Sequence, residues 1–218
     1  MKKQDLIEAL KKVMPGIDEQ ITLIEGANSF MFDNEWIKTF NDTISISYPF
    51  KSDIKCLIKA QEFFKIASKL DSENIKLTVL DGGKLFLSSG KTILKMNIFN
   101  DENIRTMIDN LSLENIKWII LPKDFIEGLK LCLPFVSNNL IYQSLCGISV
   151  GKDGMAVSDR IRAGFYHTKI SLEEDFVLPT INAIRELIKI KDLEQLGLSD
   201  AWIHFKNKDN LHFSIRKI

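Results

Sequence analysis

The chain repeats itself, and this constrains its fold more than any other feature of the sequence. Lys2-Lys3-Gln4-Asp5-Leu6-Ile7-Glu8-Ala9-Leu10-Lys11-Lys12-Val13 lies over Lys59-Ala60-Gln61-Glu62-Phe63-Phe64-Lys65-Ile66-Ala67-Ser68-Lys69-Leu70, with polar and apolar classes agreeing at most positions. Asp5-Leu6-Ile7-Glu8-Ala9-Leu10-Lys11 falls equally well on Asp124-Phe125-Ile126-Glu127-Gly128-Leu129-Lys130, which sets Pro15 on Pro134. A fourth stretch matches the second, with Phe64 on Ile184, Lys65 on Arg185, Ala67 on Leu187 and Lys69 on Lys189. Each copy spaces its apolar residues as one face of a helix: Leu6, Leu10 and Val13; Phe63, Ala67 and Leu70; Phe125, Leu129 and Cys132; Ile184 and Leu187.

Strand-like material follows every helix. After the first it is 29–32, 36–40 and 43–48, the last alternating Ile44 and Ile46 with serines. After the second it is 75–80, a turn at Asp81-Gly82-Gly83, then 84–88 and 92–99. After the third it is 147–150, the turn Gly151-Lys152-Asp153-Gly154, then 155–158 and 163–170. The fourth helix is followed by 201–206, the turn Asn207-Lys208-Asp209-Asn210 and 211–216, one strand fewer. Short apolar leads at 54–58, 116–121 and 175–178 precede three helices, and no obvious strand precedes the first. The expectation is an α+β chain of four strand-helix-three-strand units, two per domain, with domains at 1–110 and 111–218 joined through the polar stretch 100–113.

The residues that carry chemistry elsewhere are sparse. Cys56, Cys132 and Cys146 are odd in number, widely spaced and set in apolar runs, which predicts core positions in a reducing compartment without a disulfide or metal. Ser158, Asp159 and His167 lack a Gly-x-Ser-x-Gly elbow or a second carboxylate, and Asp81-Gly82-Gly83 precedes no helix. His204 and His212 fall on neighbouring strands of one hairpin, where exposed strand histidines are the simpler reading than a metal pair. No catalysis, cofactor or metal is expected. The start of the chain turns amphipathic at once, and no apolar run reaches about 18 residues, so a cytoplasmic protein without a membrane segment is expected.

Net charge is zero, with 29 basic and 29 acidic residues, which argues against a simple basic DNA-coating protein. The charges are nonetheless segregated. Cations outnumber acids in 2–14, 59–70 and 179–191, so the remainder is acidic. On a helical wheel the faces opposite the apolar ones carry Lys11 and Lys12, then Lys65 and Lys69, then Lys123 and Lys130, then Arg185 and Lys189. Leu131 interrupts the third. A solvated polar face would explain any one helix; recurrence at matching positions favours a shared role.

The second half supplies a motif. Cys146-Gly147-Ile148-Ser149-Val150, a four-residue turn, Met155-Ala156-Val157-Ser158-Asp159-Arg160-Ile161-Arg162-Ala163 and Phe176-Val177-Leu178-Pro179 resemble the middle domain of the bacterial beta clamp. That family writes a Gly-Ile strand, a turn, Ala-Thr-Asp then Arg-Leu-Ala, and a Val-x-Pro helix start. Arg160-Ile161 departs from it, standing where the family has Gly-His. Two domains instead of the bacterial three resemble the trimeric clamps of phages, archaea and eukaryotes.

The resemblance implies a DNA clamp fold whose helices line a ring. The function it implies is that of a polymerase processivity factor, a homotrimer around double-stranded DNA without sequence preference. Its partners would be a DNA polymerase and a clamp loader, in a bacterial or phage-infected cytoplasm. It assigns the helix cations to DNA. It assigns Val157, Ser158, Asp159 and Arg162, with Ile215 and Ile218 of the last strand, to a pocket for partner peptides. It assigns the edge-strand residues Leu94, Met96, Ile98, Phe165 and Tyr166 to the subunit interface. The alternative kept open is a clamp-fold interaction platform or transcription coactivator that does not encircle DNA, distinguished by failure to trimerise.

Overall fold

The computed structural model describes residues 1–18, 26–80, 83–99, 105, 106, 108, 111, 113, 115–179 and 181–217. The chain forms two compact units, Met1–Leu113 and Glu114–Ile218. In the first unit, helix α1 (Lys3–Val13) leads to β1 (Ser29–Asp33), β2 (Trp36–Phe40) and β3 (Ile44–Pro49). Strand β4 (Lys55–Lys59) then runs into α2 (Ala60–Lys69), β5 (Lys76–Leu80), β6 (Lys84–Ser89) and β7 (Thr92–Asn97). The second unit repeats the order with β8 (Ile119–Ile120), α3 (Phe125–Cys132), β9 (Gly147–Gly151), β10 (Gly154–Ser158) and β11 (Ala163–His167). It continues through β12 (Phe176–Pro179), α4 (Ile181–Ile188), β13 (Leu193–Leu198), β14 (Trp202–Asn207) and β15 (His212–Arg216).

The repeats interlock within each unit by exchanging their lead strands. β4, the lead of the second repeat, pairs antiparallel with β1 of the first, extending β1-β2-β3. β12 pairs with β9 and β8 with β13 in the same exchanged way. The first helix has a vestige of such a lead: Lys2 bridges Asn74 just ahead of β5. Each helix therefore leaves one sheet and returns to the other, burying its apolar face. Leu6, Ala9, Leu10 and Val13 of α1 are buried, as are Phe63 and Ala67 of α2. Phe63 meets Phe30 and Phe32 edge-on at 6.4 and 5.7 Å. In the second unit Phe125 and Leu129 of α3 and Ile184 and Leu187 of α4 are buried, with Phe125 against Phe205 at 6.0 Å. Each such side chain contributes about 1.5–3 kcal/mol of transfer free energy, enough to seat a short helix.

Two expectations are corrected. The fourth repeat does not end a strand early: β13 lies between α4 and β14. Its period-two signal is broken because the pairing shifts register between Leu193 and Gln195. The edge strands are shorter than 92–99 and 163–170, since β7 ends at Asn97 and β11 at His167. The turn residues Asp81 and Gly82 lie outside the described residues. No helix among the described residues is long and apolar enough to cross a membrane.

Candidate nucleic-acid interface, edge strands and peptide site

The helices bury one face and leave the opposite one to solvent, so their cations are placed by the same periodicity that places the core. Lys11 on α1, Lys65 and Lys69 on α2, Lys130 on α3, and Arg185 on α4 are exposed. Lys123 just before α3 and Lys189 just after α4 are exposed too. Lys189 Nζ donates to Glu186 Oε1 at 2.6 Å, a surface pair of small energetic weight. Lys12 differs from the rest. Its ammonium donates to Tyr48 Oη at 2.8 Å and lies 4.1 Å from that ring's centroid, so it covers β3 with its stem half-buried. Leu131 is exposed on α3, an apolar interruption of the charged face. Within each unit the two helices pack side by side, α1 on α2 and α3 on α4.

β7 and β11 are edge strands of their own units: β7 pairs with β6 and β11 with β10 on one side. The period of two divides the interface residues read from sequence. Met96 is buried against its own unit, opposite Leu85, and Leu94 sits opposite Leu87 on the same inner face. Ile98 lies just past β7, half-buried, its N–H on Gly83 O at 3.0 Å. Phe165 is exposed and meets His167 edge-on at 4.6 Å, while Tyr166 turns inward. Tyr166 Oη donates to Asp124 Oδ2 at 3.2 Å and Thr168 Oγ1 to Asp124 Oδ1 at 2.8 Å, which ties β11 to the start of α3. Gly128 is what admits the ring: a Cβ there would meet Tyr166 Cδ1 at 2.7 Å. Burial, the Asp124 charge and its hydrogen bond all push the Tyr166 phenol pKa up.

The turn after β10 is organised by Asp159 and Ser158. Asp159 Oδ1 accepts the N–H groups of Ile161 and Arg162 at 3.1 and 2.7 Å, and Oδ2 accepts Arg162 Nε and Nη2 at 2.9 and 2.7 Å. These bonds hold the Asp159 carboxyl below its usual pKa, the backbone bond from Arg162 contributing most. Ser158 Oγ accepts the Arg160 N–H at 3.1 Å and donates to Arg162 O at 3.0 Å. The serine and aspartate are thus occupied by the turn, and His167 is occupied by Phe165. Arg162 lies over Phe135 at 5.2 Å and Arg160 over Tyr142 at 4.3 Å. Val157 and Ile215 are buried, and Ile218 lies outside the described residues. Arg160, Ile161, Tyr142 and Phe135 form the accessible part of this region.

The remaining reactive side chains are buried or half-buried. His204 is buried between Ser199 and Ser214, and burial, helped by His212 and Lys217, lowers its pKa to about 4. His212, against Trp118 at 6.1 Å, is lowered to about 4 by burial and Lys206. Burial pushes the Cys56 thiol up to about 12, the opposite of an activated nucleophile. Among the described residues no group of three or more His, Cys, Asp or Glu is arranged to hold a metal.

Two units, each a pair of interlocked helix-and-three-strand repeats with cations on the outward helix faces, define the DNA clamp fold. Solved structures bear this out. The DNA polymerase sliding clamp of Bacillus subtilis matches 100% of the chain with a TM-score of 0.83 at 18% identity, over 63% of its own length. The Helicobacter pylori beta clamp bound to a DNA ligase peptide matches 100% of the chain with a TM-score of 0.82 at 20% identity, over 64% of its length. The beta subunit from the DNA polymerase of Streptococcus pyogenes gives 0.79 at 17%, with 100% and 63% coverage. No family model matches the chain, and no curated protein does. At these identities the likeness defines the fold, and the chain spans less than two thirds of the length of the structures it matches.

Proposed function

We propose that this protein is a sliding clamp, a ring of three copies that encircles duplex DNA, tethers a DNA polymerase and is placed by an ATP-driven loader. The observation that carries the proposal is the recurrence of exposed cations on all four helices of a clamp fold, opposite faces that are fully buried. Long lysine and arginine side chains on smooth helix faces hold phosphates without entering a groove, which suits movement along any sequence. The open edges of β7 and β11 supply the strand pairing that would join copies, an edge otherwise prone to aggregation.

The test is retention on a nicked circular plasmid against the same plasmid linearised, together with solution mass. A clamp stays on the circle, leaves through free ends, and has three times the 25.0 kDa chain mass. Replacing Lys11, Lys65, Lys69, Arg185 and Lys189 with alanine weakens retention and flattens its salt dependence with no change in sequence preference. Any single change costs about 0.5 kcal/mol or less, since each contact is exposed and solvent-separated. A monomer that binds circle and linear DNA alike would overturn the reading.

A further inference from the structure

The sheet β5-β6-β7 turns one face to the core of its unit and the other to solvent. Leu77, Leu85, Leu87 and Met96 are buried on the inner face. The outward residues fall in three rows across the strands: Leu80, Lys84 and Asn97; Thr78, Phe86 and Lys95; Lys76, Ser88 and Ile93. Each row holds one apolar residue, and its place moves over by one strand from row to row, so Leu80, Phe86 and Ile93 make a diagonal stripe. Leu80 is 51% and Ile93 67% exposed, with Phe86 half-buried between them. Lys76 stands on one flank of the stripe, and Lys84 and Lys95 stand on the other, Lys95 Nζ lying 5.7 Å from the Phe86 ring centroid. Lys91 is exposed in the turn before β7.

The charge of this face is all of one sign. Residues 83–99 contain Lys84, Lys91 and Lys95 and no Asp or Glu, and β5 adds Lys76 with no acid of its own. Asp81, in the turn between β5 and β6, lies outside the described residues. Among the described residues no ion pair reaches any of the four lysines. In the other sheet of the same unit the lysines are answered: Lys38 and Lys55 meet Asp33 at 3.0 and 3.5 Å. Nor does the fold call for such a face. In the second unit the matching strands β9, β10 and β11 set Ser149, Ala156 and Phe165 in the central row, where Thr78, Phe86 and Lys95 stand here. Apolar side chains flanked by cations without counter-charges suit an acidic partner. One half-buried ring beneath a lysine is a poor stacking platform for bases, which favours protein over single-stranded nucleic acid.

We infer that this face docks an acidic amphipathic helix of a partner protein. Its leucines lie along Leu80, Phe86 and Ile93, and its carboxylates reach Lys76 on one flank and Lys84 and Lys95 on the other. The dimensions agree. Same-face rows are about 6.6 Å apart and strands about 4.8 Å apart, so the stripe from Leu80 to Ile93 runs about 16 Å. Three turns of α-helix also cover about 16 Å, and residues at i, i+4 and i+7 share one side of it. The inference concerns a single copy of the chain and does not rest on the clamp reading. Lys76 and Lys84 sit on β5 and β6, away from the open edge of β7, so the face can be altered without touching that edge.

The experiment is a fluorescence-anisotropy titration of the full chain with the labelled probe Asp-Leu-Glu-Glu-Ala-Leu-Glu-Asp-Leu-Glu-Glu-Ala. Its Asn/Gln analogue, a scrambled probe of the same composition and a single-stranded oligothymidylate are titrated beside it. The acidic probe binds tightest, and its affinity falls as salt rises. Lys76→Glu combined with Lys84→Glu weakens it about tenfold and leaves the neutral analogue within about twofold, with melting temperature and solution mass unchanged. Lys76→Gln combined with Lys84→Gln, the gentler change, weakens it about threefold. Leu80→Ser weakens the acidic and neutral probes alike, also about threefold. The inference is overturned if the parent does not bind the acidic probe, if the double charge reversal leaves that binding intact, or if the scrambled probe binds as tightly. It is overturned in favour of a nucleic-acid face if the oligonucleotide displaces the acidic probe and is lost with the same two lysines.

Discussion

His204 makes the stability of the second unit depend on pH, and the size follows from its surroundings. The ring is enclosed on β14, with Nδ1 2.8 Å from Ser214 Oγ and Nε2 2.9 Å from Ser199 Oγ. A neutral imidazole satisfies both hydroxyls, donating from one nitrogen and accepting at the other. Protonation adds a buried charge with no carboxylate among the described residues to meet it, beside His212 and Lys217, which is why the folded pKa falls from 6.5 to about 4. The unfolded chain binds the proton more readily, so the contribution is complete above pH 6.5 and is lost as pH falls toward 4. A gap of that size corresponds to about 3 kcal/mol at the acid end.

Urea unfolding of the parent and His204→Gln, from pH 7.5 to 4, isolates the effect, because His212 and the carboxylates are common to both proteins. Glutamine keeps polar atoms for the two serines and carries no charge. The stability difference between the two should shrink, or reverse in favour of the variant, by about 3 kcal/mol across the window. A difference that stays flat from pH 7.5 to 4 would mean that water reaches the ring and that the burial argument is wrong.

The edge strands give a sharper test of assembly than their sequence suggests. The Thr168 N–H donates to Asp153 O at 3.2 Å and the Ile98 N–H to Gly83 O at 3.0 Å. The alternation of an antiparallel ladder then aims Tyr166 and Leu94 at their own neighbours and Phe165 and Lys95 at the open edge. Phe165→Pro or Lys95→Pro should give a folded monomer by light scattering and thermal melting, whereas a surviving trimer in both would put the interface elsewhere. Gly147→Ala should destabilise the second unit by about 3 kcal/mol, because a Cβ would sit 2.3 Å from the Leu178 carbonyl oxygen across β9–β12 and the backbone has nowhere to move. An unchanged urea midpoint would show that the two strands can part there.

Much of this protein is written in its periodicities. Spacings of three and four identify α1 to α4, alternation identifies most strands, and four aligned copies imply the fold class before any coordinates, because burying one face is what each element must do. The positions of Lys65, Lys69, Arg185 and Lys189 follow from the same rule, since a residue opposite a buried face is exposed. What the sequence leaves open depends on neighbours that are distant along the chain. The exchange of lead strands is decided by which edge each strand meets. β13 hides behind a register shift that only its pairing reveals.

A period of two yields two faces and does not say which is inner, so the burial of Met96 and the outward Phe165 beside an inward Tyr166 appear only once β6, β10 and α3 are in place. Lys12 reads as one more outward cation until Tyr48 comes up beside it from β3. Asp159 is bonded within its own turn, and that turn holds Arg160 at positive φ. Local pattern sets which residues must be buried. Only tertiary packing supplies the partner, and hence the direction in which each remaining side chain is free to act.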